Sequence, residues 1–381
     1  MRSLLVLVDG LGDDPIPAWD GETPFTRSRH PHMDALVEAG TLAHVSISGK
    51  DVVPGSLTCI LRLLGVAKEQ FPSNRAYLEL LAQGRDISEF EMVLRCNIVS
   101  EDEGGRMVSF NGMGLTPRDI EEITAKLGSF SHDIEFLHLS DYRNLLVMTR
   151  SDGVLSTETA PPHESMGLPL EELLGPLREA SLSMRVFMDQ ADRILEDYSR
   201  NGLRYRIYPW GPSCRTELPS FRSLNGRDGA LVCQTEIVRG IGHALDMEVP
   251  PLEGCTADID TDIRAKLEAT RDMLKKHPFV LAHFNGADEA AHRHDYEGKA
   301  AFVARIDREF LGPLLESADE PMRILICGDH VTSSVTGKHT RGGGPVIAAV
   351  VPPAAESGQI PPLRTYRDII QFITKESEEN G

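Results

Sequence analysis

The stretch Arg323-Ile-Leu-Ile-Cys-Gly-Asp329-His330 most limits what this chain can fold into. A short, continuous apolar run marks a strand buried on both faces, and this one ends on Gly-Asp-His. Two other runs share the design. Leu4-Leu-Val-Leu-Val8 runs into Asp9-Gly10, and Phe279-Val-Leu-Ala-His-Phe284 leads to Asp288-Glu-Ala-Ala-His292. Ligands of parallel sheets gather at the C-terminal strand edge, so the three runs predict an α/β fold with three Asp sites at such edges. Taken singly, an Asp after a strand is a helix cap or a turn former. Three of them, with His330 adjacent to one and His292 four residues after another, point to chemistry.

The rest of the chain alternates around these runs. Pro31–Gly40 has a helical pattern with Gly at its C-terminal stop. Thr41–Ser48 is strand-like, and Pro54-Gly-Ser56 opens the apolar Leu57–Leu64, placing Ser56 at a helix entrance that favours negative charge. The texture changes from about residue 88. Met92–Val99 with Arg106–Phe110, and Ile134–Leu139 with Asn144–Thr149, read as two strand pairs around a helix that starts at Pro117. A long helix is predicted near Arg185–Arg200, and Tyr208-Pro-Trp-Gly-Pro212 marks the way out. Strands at Ala230–Cys233, Phe279–Phe284, Ile324–Cys327 and Val346–Val351 then resume, with helices at Ile263–His277 and Gly298–Leu315. The simplest architecture is an α/β domain of residues 1–87 and 210–381, interrupted by an inserted α+β domain of residues 88–209. The charged tail Lys375–Gly381 is expected to fray.

Seven residues stand out as ligands or nucleophiles: Asp9, Ser56, Asp288, His292, Asp329, His330 and His339. Six are O and N donors of the kind that Mn or Zn accepts, with no thiolate among them. Asp288 and His292, at i and i+4, share one helical face and can reach one ion. His294 and Asp295 read as solvated neighbours, and His339 sits in the glycine-rich Gly337–Gly344 loop, free to fold over the site. Ser56 is the candidate nucleophile. A free hydroxyl is a poor nucleophile near neutral pH, and no His is spaced as a triad base, so metal activation fits this sequence better. The constellation implies two-metal phosphoryl transfer.

Composition excludes other classes. With 39 basic and 58 acidic residues the 381-residue chain carries a net charge of −19, which argues against a nucleic-acid surface. Hydrophobic content of 41% with 25% charged residues reads as a globular protein without a membrane partner. The N-terminal apolar run is too short for a signal segment or a membrane span, and six scattered cysteines without a Cys-x-x-Cys pair read as reduced thiols. A cytoplasmic location is expected.

In this order, several motifs resemble the archaeal-type cofactor-independent phosphoglycerate mutases of the alkaline phosphatase superfamily. They include Leu7-Val-Asp9-Gly-Leu-Gly-Asp-Asp-Pro15, Pro54-Gly-Ser56-x-Thr58, Arg95-Cys-Asn97, Asp141-Tyr-Arg-Asn-Leu-Leu146, Pro209-Trp-Gly-Pro212, Asp288-Glu-Ala-Ala-His292 and Gly328-Asp-His330. The resemblance implies an alkaline-phosphatase-like α/β/α sandwich with an inserted α+β lid domain. It implies that Ser56 becomes phosphoserine, that one metal is held by Asp9, Ser56, Asp329 and His330, and a second by Asp288, His292 and His339. It further implies interconversion of 3-phosphoglycerate and 2-phosphoglycerate without 2,3-bisphosphoglycerate, in a pocket where Arg75, Arg95, Arg143, His163 and Arg215 contact a small phosphorylated metabolite.

Departures fall beside the substrate, not among the metal ligands. Family members read Gly-Ser-Asp-Thr-Ala-His where this chain has Gly55-Ser56-Leu57-Thr58-Cys59-Ile60. Their Gly-Arg-Gly-Pro is Asn74-Arg75-Ala76-Tyr77 here, and their Gly-Pro-Gly-Lys-Arg-Pro is Gly211-Pro-Ser213-Cys214-Arg215-Thr216. The alternative left open is a phosphohydrolase or phosphotransferase with the same metals, acting on a different small phosphorylated or phosphonate metabolite. A relative that binds ligand without turnover is disfavoured, since binding alone needs no metal-activated nucleophile.

Overall fold

The computed structural model describes residues 1–130, 133–352 and 360–374, so the tail Lys375–Gly381 lies outside the described residues. The chain divides into two compact units, one of residues 1–71 and 218–381 and one of residues 72–217.

The first unit is built on β1 (Arg2–Val8), β2 (Thr41–Val45), β8 (Gly229–Val232), β9 (Phe279–Phe284), β10 (Met322–Cys327) and β13 (Gly344–Val351). Their order across the sheet is β2-β13-β10-β1-β9-β8. The last four are mutually parallel, while β13 and β2 run antiparallel to their neighbours. Leu4 to Val8 are all fully buried because both faces of the sheet are covered. One face packs on the helices Ile263–Lys276 and Tyr296–Ile306 through Leu267, Phe302, Val303 and Ile306. The other carries the helix Tyr366–Thr374, which contacts β1 and β10, and Glu236–Ala244, which contacts β8 and the helix Ser56–Leu63. This is the expected three-layer α/β/α arrangement. Burying each large aliphatic chain of β1 contributes roughly 1.5–3 kcal/mol of transfer free energy, so the sheet is a stiff platform for whatever leaves its edge.

The register decides where the chemistry sits. Leu7 is level with Cys327 and Val8 with Phe284, so β1, β9 and β10 end together. A short hairpin of β11 (Val331–Ser333) and β12 (Lys338–Thr340) follows β10.

The second unit contains β3 (Glu91–Glu101), β4 (Met107–Ser109), β5 (Ile134–Ser140), β6 (Arg143–Thr149) and β7 (Arg204–Ser213). β3 is central, pairing antiparallel with β6, with β7 and, at its end, with β4. The helix Leu182–Glu196 packs against β7 and β5. Two expectations are corrected here. The boundaries at 88 and 209 move to 72 and 217, because the helix Ala76–Leu81 packs on β3 and β7 carries on to Ser213. Pro209 and Pro212, in the stretch expected to mark the way out of this unit, both lie within β7, which pairs with β3 alone among the described residues. An edge strand tolerates a missing N–H that a central strand does not.

Candidate metal centre and active site

Asp9 follows β1 directly, and its N–H is bonded to Phe284 O at 2.9 Å. Asp329 and His330 follow β10 after Gly328, and Asp288 and His292 lie on the helix Gly286–His292 that follows β9. Ser56 is the first residue of the helix Ser56–Leu63. The loop before it is fixed by Arg62, which forks onto Asp51 at 3.0 and 2.7 Å and donates to Ser48 O, and by Arg341, which donates to Val52 O. His339 is brought in by the hairpin, where Thr332 pairs with His339. Its expected place in a free loop is therefore corrected: His339 sits on a strand. All seven predicted residues converge.

Ser56 Oγ donates to Asp9 Oδ2 at 3.1 Å. His330 Nε2 is 3.3 Å from both Asp9 Oδ1 and Asp329 Oδ2. Those three atoms are buried and have no hydrogen-bond partner among the described residues. Asp288 Oδ2 is 3.2 Å from His292 Nε2, Asp288 Oδ1 is 3.5 Å from His339 Nε2, and the two imidazole Nε2 atoms are 3.1 Å apart. The outer ring nitrogens settle the tautomers. His292 Nδ1 faces Gly337 O at 2.8 Å and His339 Nδ1 faces Pro54 O at 3.4 Å; a carbonyl only accepts, so both Nδ1 atoms carry hydrogen. Without a further proton, the Nε2 lone pairs would point at one another and at carboxylate oxygens. Lone pairs crowded this way repel unless a cation lies between them, and the donor set is O and N throughout, so the residues fit two divalent ions. Asp9, Asp329 and His330 form one cluster; Asp288, His330 and His339 form another, with His292 beside it.

The electrostatics agree. Burial, then the Asp329 and Asp288 charges, push the Asp9 carboxyl well above its usual range. Burial works against ionisation of Asp288, but its bonds to His292 and His339 outweigh that and hold it well below the carboxylate range. The bond to Asp288 raises His292 to about 9. Burial lowers His330 and takes His283 down to about 3. Protons held at Asp9 and His292 would have to leave for a cation to bind there.

Comparison with known proteins follows the geometry. A family model described as the metalloenzyme superfamily matches residues 1–356. The 2,3-bisphosphoglycerate-independent phosphoglycerate mutase of Methanopyrus kandleri is 31% identical over 370 residues, spanning 91% of this chain and 87% of the relative. The chain belongs to the metalloenzyme superfamily, among the cofactor-independent phosphoglycerate mutases. Among solved structures, a protein of Pyrococcus horikoshii covers 100% of this chain and 99% of its own at 22% identity, with a TM-score of 0.76. A cofactor-independent phosphoglycerate mutase of Thermoplasma acidophilum covers 98% and 99% at 22% identity, with a TM-score of 0.60. Both show the fold.

Around this metalloenzyme-superfamily centre lie residues that the sequence did not reveal. Thr332 Oγ1 lies 2.5 Å from Asp288 Oδ1 and 3.1 Å from His330 Nδ1. His283 Nε2 is 3.4 Å from Asp9 Oδ2. Lys299 and Asp13 form a buried ion pair at 2.6 Å, and Ser334 donates to Asp13 from both N and Oγ. His283 was hidden inside an apolar strand, and Lys299 inside a helix; only the three-dimensional register brings them here. His294 is exposed and Asp295 half-buried, as expected of solvated neighbours; Asp295 also caps the helix Tyr296–Ile306, and His294 Nδ1 contacts Ser334 O at 3.0 Å.

The predicted substrate residues all lie in the second unit and divide into two sets. Arg75 and Arg95 meet on Glu79, with Nε atoms 2.9 and 2.8 Å from its two oxygens. Arg95 also lies over the Trp210 ring at 4.2 Å. Burial, and the fields of Arg75 and Arg143, bring the Arg95 guanidinium down to about 10 despite Glu79, so three guanidinium groups share a neighbourhood with one carboxylate. Arg143 lies over the Tyr142 ring. Arg215 instead faces Asp86 at 3.5 Å and Glu217 at 3.4 Å, and His163 lies edge-on to Phe110 and 3.7 Å from Glu164.

Proposed function

We propose that this chain is a two-cation phosphoglycerate mutase acting through Ser56, without 2,3-bisphosphoglycerate. The observation that carries the reading is the hydroxyl of Ser56 beside a cluster of six carboxylate and imidazole donors, 3.1 Å from Asp9 Oδ2. The similarity to 2,3-bisphosphoglycerate-independent phosphoglycerate mutases over nine-tenths of the chain supports phosphoglycerate as the substrate. Asp9, Ser56, Asp329 and His330 hold one ion, and Asp288, His292 and His339 hold the other; Mn and Zn both suit the donors. When bound, the ions supply the positive charge that favours an ionised hydroxyl and neutralises phosphoryl oxygens.

Ser56 Oγ then forms a bond to phosphorus as the bond from phosphorus to the C3 oxygen of 3-phosphoglycerate breaks, leaving phosphoserine and bound glycerate. Glycerate turns, its 2-hydroxyl oxygen attacks the same phosphorus, and the bond to Ser56 breaks. The proton lost from the attacking oxygen balances the one gained by the leaving oxygen in each half. The helix N-terminus at Ser56 adds a favourable field for the phosphoryl group. Arg75, Arg95 and Arg143 are proposed to bind the carboxylate of glycerate, a planar anion suited to guanidinium forks, with Arg215 and His163 as outer contacts. The reaction is placed in the cytoplasm, where the six free cysteines stay reduced. Among the described residues no helix is long and apolar enough to cross a membrane.

The test is one reaction mixture. Chelator-stripped protein is reloaded with Mn and given 3-phosphoglycerate, and 2-phosphoglycerate and free phosphate are followed together. The isomer should appear without phosphate release. Phosphate without the isomer would replace the mutase reading with a phosphohydrolase.

A further inference from the structure

We propose that Thr332 is a positioning residue that ties the two cation sites together through a single hydroxyl. The inference rests on the reading of the seven residues as cation ligands. Thr332 is fully buried on β11, two residues after His330 and opposite His339 in the hairpin. Its hydroxyl has one hydrogen to donate. Asp288 Oδ1, at 2.5 Å, only accepts, so it takes that hydrogen. The hydroxyl oxygen is left to accept from His330 Nδ1, at 3.1 Å, which must therefore carry hydrogen.

Two consequences follow from one group. His330 is fixed in the tautomer whose Nε2 lone pair faces Asp9 and Asp329, 3.3 Å away. Asp288 is anchored through Oδ1, which turns Oδ2 toward His292 at 3.2 Å. The first effect orients a ligand of one site and the second a ligand of the other.

The backbone around Thr332 is clamped as such a role requires. Its N–H donates to Gly12 O at 3.2 Å, and its carbonyl accepts from Lys299 Nζ at 2.9 Å. Lys299 also donates to Gly12 O at 3.0 Å and to Asp13 at 2.6 Å, so the loop after Asp9 and the strand after His330 are held by one ammonium. Gly10 closes the remaining side. It has φ of 66°, and a Cβ there would lie 2.9 Å from Thr332 Oγ1 and 3.0 Å from Asp288 Cα.

Cation binding to the full, chelator-stripped chain tests this, with Mn or Zn titrated by calorimetry or against a fluorescent chelator. The wild type should take up two ions. Thr332→Val, which keeps the shape and removes the hydroxyl, should weaken both sites by about 10–100-fold each. Thr332→Ser should restore both to within a few-fold, which a simple packing role for the methyl group would not. Wild-type tightness at either site in the Val variant overturns the bridge. Uptake of fewer than two ions by the wild type removes the ligand reading itself, whatever the variants do. Should the Val variant fail to fold, histidine 15N spectra of the Zn-loaded wild type decide the matter. His330 protonated on Nδ1 supports the bridge; His330 protonated on Nε2 overturns it.

Discussion

One charge cluster in each unit is built in the opposite way to the other. In the first, Asp9 and Asp329 are fully buried and face His330 Nε2, with Asp9 Oδ1 and Asp329 Oδ2 unpartnered among the described residues. In the second, Arg75 and Arg95 meet on the buried Glu79, and each guanidinium has its counter-ion. Unpaired buried carboxylates cost several kcal/mol, so they persist where another charge completes them. Paired arginines need no further partner to be stable; they can recruit an anion by sharing. The contrast separates a site that demands its ligand from one that accepts it.

The largest expected effects break the first region. Ser56→Ala should lower turnover by roughly 10^4- to 10^6-fold, as loss of a nucleophile does elsewhere, while the chain still takes up cation at the Asp288 site. Full activity in that variant would end the phosphoserine reading. Asp288→Asn or His339→Ala should cost on the order of 10^2-fold or more in cation affinity at the second site, with partial rescue of activity by excess Mn. If neither change alters Mn uptake, both residues leave the ligand set. Brief chelation should silence the enzyme reversibly.

Acidity sharpens the same comparison. His292 is raised to about 9 by Asp288, and Asp9 is raised by burial and its acidic neighbours. Both groups bind protons more tightly folded than unfolded. Their contribution to the cation-free protein is full below the unfolded values and is lost as pH rises through the folded ones. For His292 that window runs from about 6.5, its unperturbed value, up to about 9. Cation binding displaces these protons, so affinity should climb over the same window, by up to about tenfold per unit for each proton released. The Tm of chelated protein should therefore fall between pH 6.5 and 9 while the Tm increment from Mn grows. A cation affinity flat across that range would contradict proton displacement.

Much of the first region was legible because its signals are local. Unbroken apolar runs ending in Asp9 and Asp329 mark buried strands and their edge, and the i, i+4 spacing of Asp288 and His292 already places two donors together. Thr332 and His283 were not legible: one looks like any strand threonine, the other like a polar break in an apolar run. Their partners, Asp288 and Asp9, are 44 and 274 residues distant. His339 was read as a loop residue because three glycines follow it, and the pairing of β12 with β11 decided otherwise. The second unit was harder. Prolines in β7 mimicked a linker, and nothing near Arg75 or Arg95 in sequence announces that Glu79 serves both.

The smallest effects probe that second region. Arg95→Met removes one of the two partners of Glu79, whose side chain is only 6% exposed, along with the contact over Trp210. Arg75 remains to hold the carboxylate, so the loss of stability should stay near 1–3 kcal/mol and not reach that of a wholly stranded charge. If the arginines take the glycerate carboxylate, KM should rise by about ten-fold or more with kcat changed less, the signature of lost uniform binding. Arg215→Ala should leave stability nearly unchanged, because its contacts with Asp86 and Glu217 are exposed. An unchanged KM in Arg95→Met, with stability lowered as expected, would make the cluster a purely structural one. The demanding site in the first unit would then stand without an accepting one in the second.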